Sequence, residues 1–297
     1  MAKGRHEMNL WKDYPFEGAV AVLFDFGDVS PELLASKNSV TDLNQTWEKL
    51  RVRLIPCDIE GILRRHAPEP SEVETLVRQW ERLARHVPES TREPLRENVR
   101  FFLAVRRVLQ TEHACAAAIN CHAMPRHDLR LPCTAMVELH RDGVLAACEM
   151  DVNGLLSAML LTHVAERPAF MGNVLPGSDV STIEISHCVA PPNMLPGLAG
   201  YEFADRHGNP EQVTAAIELP QQGEATLARI SPDLERIHVG LGQIVSAHHK
   251  GVCRNSVTIR LPDCGTFLDN KFESHYAFVC GDVSAALSHH KAFRATT

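Results

Sequence analysis

Between Gly18 and Val164 the chain alternates short apolar runs with segments of helical period, and beyond Phe170 that alternation stops. Gly18–Phe26 (GAVAVLFDF) and Ala114–Cys121 (ACAAAINC) are continuous apolar runs, the pattern of strands buried on both faces. Leu50–Pro56 (LRVRLIP) alternates and reads as another strand. Ser30 followed by Pro31 and Glu32 predicts a helix start with proline in the first turn. Val73, Leu76, Val77, Trp80 and Leu83 within Glu69–Val87 recur at helical spacing, as do Leu95, Val99, Phe102, Leu103 and Val108 within Pro94–Leu109. Strands alternating with helices predict an α/β unit, a doubly wound parallel sheet covered on both faces. Thr134–His140 and Val144–Cys148, separated by Arg141-Asp142-Gly143, read as two strands joined by an Asp-Gly turn. Asn153–Val164 reads as an apolar helix buried on most sides, closed by Pro168.

From Phe170 onward Gly, Pro and Thr become commoner, and short alternating stretches replace helices: Ser181–Ser186, Val213–Leu219, Glu224–Ile230, Val252–Leu261 and Tyr276–Cys280. These predict an antiparallel β-rich, barrel-like C-terminal domain. The expected organisation is a polar tail over 1–17, an α/β domain over 18–172 and a β-rich domain over 173–297. With 297 residues, the chain suits two domains of about 150 residues each. A formal charge of −7 provides no basic footprint, which argues against a nucleic-acid partner. Leu155–Val164, the longest apolar stretch, contains Ser157, Thr162 and His163 and is too short to span a bilayer, so no membrane partner is expected. MAKGRHEMNLW at the start lacks an apolar signal core, and the nine cysteines are odd in number and scattered. Reduced, buried thiols and a cytoplasmic location are the expectation.

Cys148-Glu149-Met150-Asp151 places two acids where a strand runs into a helix, at the edge of the sheet where open α/β folds bind ligands. Asp151 has an ordinary explanation as the helix cap. Glu149, directly after Ala-Ala-Cys, has to be paired or metal-bound if buried. In Phe170-Met171-Gly172-Asn173 the Asn173 amide oxygen is either a turn residue or a ligand for a hard metal or a sugar. His187 and Cys188 end a predicted strand. His187 is a candidate for substrate or metal, with a structural role as the alternative, and no Cys–His–acid order supports Cys188 as a nucleophile. His275 begins another strand and has the profile of an imidazole ligand. Of the sixteen histidines, His207, His248, His249, His289 and His290 sit in polar surroundings and read as surface residues, with His207 also a candidate substrate contact. Zinc-finger spacing, a phosphate-binding glycine loop, GxSxG and HExxH are all absent from the sequence.

Five segments taken in order resemble the L-fucose isomerase / L-arabinose isomerase superfamily, in its fucose-isomerase-like branch. They are Ala147–Asp151, Phe170–Asn173, Ser186-His187-Cys188, Cys253-Arg254-Asn255, and Ser274-His275-Tyr276 followed by Gly281-Asp282. The resemblance implies an aldose–ketose isomerase that works through an ene-diol with a divalent metal, typically Mn²⁺, held by a glutamate, an aspartate and a histidine. Glu149 and His275 match two of these, and the aspartate position falls at or beside Asn173. A neutral amide there still ligates but cannot carry a proton, so His187 or Asp151 is a candidate for the missing role. The expected set is therefore Glu149 and Asp151 as catalytic residues, Glu149, Asn173 and His275 on the metal, and His187 and His207 at the substrate. The family also implies a homo-oligomer and a further N-terminal α/β domain ahead of the region matching Gly18, so a truncated form, a gene fragment or a short paralogue is expected here. A lyase on a sugar-like substrate and a non-catalytic carbohydrate-binding or assembly subunit are the alternatives.

Overall fold

The computed structural model describes residues 16–194, 200–249, 251–288 and 294–296. Nearly all of the expected N-terminal tail, together with His289 and His290, lies outside the described residues. The first half contains four parallel strands, β1 (Val20–Asp25), β2 (Arg53–Asp58), β3 (Ala116–Ile119) and β4 (Leu145–Cys148), in the order β2-β1-β3-β4. Helices connect them: α1 (Pro31–Ser36) and α2 (Asn44–Leu50), then α3 (Ile59–Arg65), α4 (Pro70–Leu83) and α5 (Arg92–Thr111), then α6 (Cys133–Arg141). The strand order reverses at β1, so its connections leave in opposite directions and helices cover both faces, as a doubly wound sheet requires. Ser30 caps α1 by accepting from the Leu33 amide, with Pro31 behind it.

The segment expected to be a hairpin is a helix followed by a strand. α6 ends in a Schellman motif: Val144 N–H reaches Leu139 C=O, Gly143 N–H reaches His140 C=O, and Gly143 has φ +84°. A glycine with positive φ serves a hairpin turn and a helix end equally well, and Val137 and Leu139 alternate with Glu138 and His140 as they would in a strand. β4 then pairs in parallel with β3, Cys148 beside Ile119.

α7 (Val152–Ala165) follows. Every side chain from Val152 to Thr162 is buried, because the helix packs against β3 and β4 on one side and the second sheet on the other. That second sheet comprises β5 (Phe170–Pro176), β6 (Thr182–His187), β9 (Gly223–Ile230), β10 (Arg236–His248), β11 (Asn255–Arg260) and β12 (His275–Cys280); the short hairpin of β7 (Tyr201–Arg206) and β8 (Asn209–Ile217) precedes β9. The order β11-β6-β5-β12-β9-β10 closes on itself through β10–β11 pairing, every pair antiparallel, to form a six-stranded barrel. α8 (Cys264–Asn270) and α9 (Ser284–Ser288) flank it, and β13 (Arg294–Thr296) adds in parallel to β10. Gly172, where the domain boundary was expected, lies inside β5, where a Cβ would come within 3.1 Å of the Ser186 carbonyl oxygen. Buried apolar side chains of sheet, helices and barrel form one continuous cluster. Among the described residues, no helix is long and apolar enough to cross a membrane.

Candidate functional site

Three neighbouring barrel strands present polar side chains at one end. Asn173 of β5 is paired with Ser186 of β6 on one side and His275 of β12 on the other, and His187 is the last residue of β6. The carboxyl edge of the parallel sheet meets this end of the barrel. There the chain leaves β4 through Glu149 and Met150, at φ +62° and +56°, before α7 begins. Two successive non-glycine residues in the left-handed region cost of order 1–3 kcal/mol each, and such strain concentrates where function holds it in place.

The turn aims the Glu149 carboxylate at the barrel. Its Oε2 lies 2.6 Å from Lys37 Nζ and its Oε1 3.3 Å from His122 Nε2. His187 Nε2 and His275 Nε2 are each 3.9 Å from the same Oε1. Burial alone pushes the carboxyl pKa up, but the His122, His187 and His275 rings and the Lys37 ammonium outweigh it and hold Glu149 far below the usual carboxylate range.

Asp151 sits behind this group. It is fully buried, caps α7 through the Gly154 amide and accepts from Ser39 Oγ. The fully buried Arg229 guanidinium grips it with two hydrogen bonds of 2.6 and 3.0 Å. Burial pushes the Asp151 pKa up, while Arg229 and His275 pull it well below normal. His275 Nδ1 lies 3.0 Å from Asp151 Oδ2; since an ionised carboxylate only accepts, Nδ1 carries the proton. His275 Nε2 is buried and has no hydrogen-bond partner. His187 has the opposite tautomer: its Nδ1 accepts from Val189 N–H at 3.3 Å, so its Nε2 carries the proton and points towards Glu149.

A cavity of about 150 Å³ opens onto these groups, and its wall includes Glu149, Asn173, His187 and His207. Asp151 and His275 are not on that wall. A larger cavity of about 460 Å³ beside Phe101 and Met124 contains no comparable cluster of ligating groups. Of the residues expected from sequence, Glu149, Asn173, His187 and His275 converge, Asp151 stands behind His275, and His207 lies on another part of the wall between two thiols. His207 Nε2 is 3.0 Å from Cys188 Sγ and 3.5 Å from Cys253 Sγ. Sequence reasoning did not single out Lys37, His122, Arg206 or Arg229. His122 was within reach of the sheet-edge rule, because it follows β3 as Glu149 follows β4. Arg229 stands within Ala225–Ile230, a run of otherwise apolar or small residues in β9, a signal that it needs an acidic partner. Nothing local marks Lys37.

No protein-family model matches the chain. Among curated proteins it is similar to the sulfoquinovose isomerases of Priestia aryabhattai and Priestia megaterium, 25% identical over 206 residues, which is 66% of this chain and 46% of theirs. It is also 25% identical over 197 residues to the sulfoquinovose isomerase of Alkalicoccus urumqiensis, covering 62% of this chain and 44% of that one. The chain thus spans less than half the length of these relatives, and what it resembles over about two thirds of its own length is a sugar isomerase.

Proposed function

We propose that this chain carries the reaction centre of an aldose–ketose isomerase working through an ene-diol, with Glu149 as the central group. The observation that supports this most directly is the convergence of the strained Glu149 turn with Asn173, His187 and His275 from three adjacent barrel strands, in a chain similar to sugar isomerases.

The donor set suits a divalent cation. Glu149 and the Asn173 amide are hard oxygen donors, and His275 has the orphaned Nε2 and carboxylate-bound Nδ1 of a metal-ligating histidine. Glu149, Asn173 and His275 would hold the ion, Mn²⁺ by the family resemblance, and such a cation would polarise a sugar carbonyl. The rest belongs to the side chains. Its neighbours favour the ionised form of Glu149, the form that can accept the proton that moves between C1 and C2. His187 offers an Nε2–H to a substrate oxygen, and Asp151, locked by Arg229, fixes the His275 ring and its tautomer rather than touching substrate.

Lys37 favours a second mechanism on the same carboxylate. An ammonium 2.6 Å from Glu149 can itself polarise the carbonyl, with no metal in the reaction. One experiment separates these outcomes: proton NMR of aldoses and ketoses, sulfoquinovose among them, in D₂O with Mn²⁺-loaded protein. Loss of the C1 or C2 proton signal that is abolished by Glu149→Gln and by EDTA supports the metal isomerase. Exchange that survives EDTA and fails in Lys37→Met supports the second mechanism. Absence of exchange on every sugar, in protein that holds metal, would sink the isomerase proposal in favour of a lyase or a non-catalytic carbohydrate-binding subunit.

A further inference from the structure

The cavity has a second ligating cluster, chemically unlike the first. Cys188 follows β6, Cys253 precedes β11, and His207 occupies the turn of the β7–β8 hairpin. One donor atom from each lies within 4.8 Å of the others, and His207 Nε2 stands 3.0 and 3.5 Å from the two sulfurs. Tetrahedral zinc with sulfur at about 2.3 Å and nitrogen at about 2.0 Å sets its S and N donors about 3.5 Å apart, which the Cys253 contact already meets and the Cys188 contact meets with a shift of about half an ångström.

The surroundings keep the three donors together. Thr214 Oγ1 and Asn255 Nδ2 both donate to the Cys188 carbonyl, and the buried Asn255 also bonds Ile217 N–H and the Ala215 carbonyl, tying the hairpin to the barrel beneath it. On the other side Arg254, next to Cys253, binds the carbonyl and carboxylate of Asp205, two residues before His207. Two backbone anchors thus hold an imidazole over two thiols, without any contribution from the Glu149 group. Arg206 lines the same cavity beside the three donors.

We propose that Cys188, Cys253 and His207 form a binding site for a thiophilic divalent cation of the zinc type, separate from the Glu149 site. Each Cys loses its proton on binding and the ion takes the two thiolates and the neutral imidazole nitrogen, so two protons are released per ion. The donors differ in kind from those around Glu149. Sulfur selects zinc, whereas carboxylate and amide oxygen suit manganese or magnesium, so one cavity holds a soft and a hard site side by side. The soft ion would lock the β7–β8 hairpin against the barrel, leaving its fourth position towards the cavity that all three donors line. Neither its existence nor its test depends on isomerase activity.

The test is cobalt titration of the reduced, metal-stripped full chain, read by absorption. The expected result is a thiolate-to-cobalt charge-transfer band that saturates, is displaced by Zn²⁺, and persists in Glu149→Gln. It should fall by about half in Cys253→Ser and in Cys188→Ser. His207→Ala, a change at the hairpin turn that leaves both sulfurs and the core intact, should weaken cobalt binding at least tenfold. Circular dichroism of each variant reports whether it is folded. The proposal is overturned if folded wild-type protein gives no charge-transfer band, or if the band is unchanged in Cys188→Ser, Cys253→Ser and His207→Ala, which would assign it to the other cavity thiols.

Discussion

At the scale of single residues, the backbone at Glu149 and Met150 is the most informative feature of the molecule. Left-handed conformations are steric liabilities for residues with a Cβ, and two in succession put a carboxylate where a relaxed turn would put glycine. Replacing Glu149 by Ala retains the strain, and replacing it by Gly relieves it. Glu149→Gly is therefore expected to be about 1 kcal/mol more stable than Glu149→Ala, and both inactive, as measured by urea unfolding and sugar proton exchange. Equal stabilities would mean that the turn is not strained. Glu149 was legible in the sequence as an acid following a buried strand, and His275 as a strand-start imidazole. Their relation was not, because the partners of Glu149 come from residues 37, 122, 187 and 275. The capping role of Asp151 was readable from the neighbouring helix, whereas its grip by Arg229 from 78 residues away was not.

At the scale of elements, α7 does the most. It carries Asp151 at its start, Gly154 in its first turn and an unbroken buried stretch that touches both sheet and barrel. Gly154 is needed for space: a Cβ there would lie 2.7 Å from both Asp151 Oδ2 and Met171 Sδ. Gly154→Ala should therefore destabilise by about 1–3 kcal/mol, although alanine is the better helix former. Because the clash falls on the carboxylate that orients His275, metal affinity should fall as well; an unchanged Mn²⁺ titration would show that the Asp151 network tolerates the displacement. The same scale explains the misread hairpin. In so short a segment the alternation of Val137 and Leu139 with Glu138 and His140 fits a strand, and the end signal Gly143 is shared between turn types.

At the scale of the whole molecule, buried titratable groups set a pH dependence. Burial lowers His140 and His238 to about 4, so below the ordinary histidine pKa of 6.5 the unfolded chain takes up protons that the fold refuses. Stability consequently falls from pH 6.5 towards pH 4, with a slope of up to about 1.4 kcal/mol per pH unit for each histidine. Glu138, pushed up to about 7 by burial, acts in the opposite sense between its ordinary 4.5 and 7, because there the fold keeps a proton that the unfolded chain loses. Two histidines against one glutamate leave a net loss in acid. Urea midpoints should drop between pH 6.5 and pH 5, and a flat profile would show that the two rings are solvated or protonated in the fold.

The sequence by itself determined most of the local character of this protein: which runs, the α6 segment apart, are strands or helices, that the first half builds a parallel sheet and the second an antiparallel barrel, and that Glu149 sits at a sheet edge. Such properties follow from period, propensity and turn chemistry, which act over a few residues. Tertiary structure alone decided which end of the barrel meets that edge, which cation faces Glu149, which nitrogen of His275 is free, and that a hairpin turn sets His207 over two thiols. Those are consequences of strand order and of α7 packing against both units, and each joins residues tens to hundreds of positions apart, where no local rule reaches.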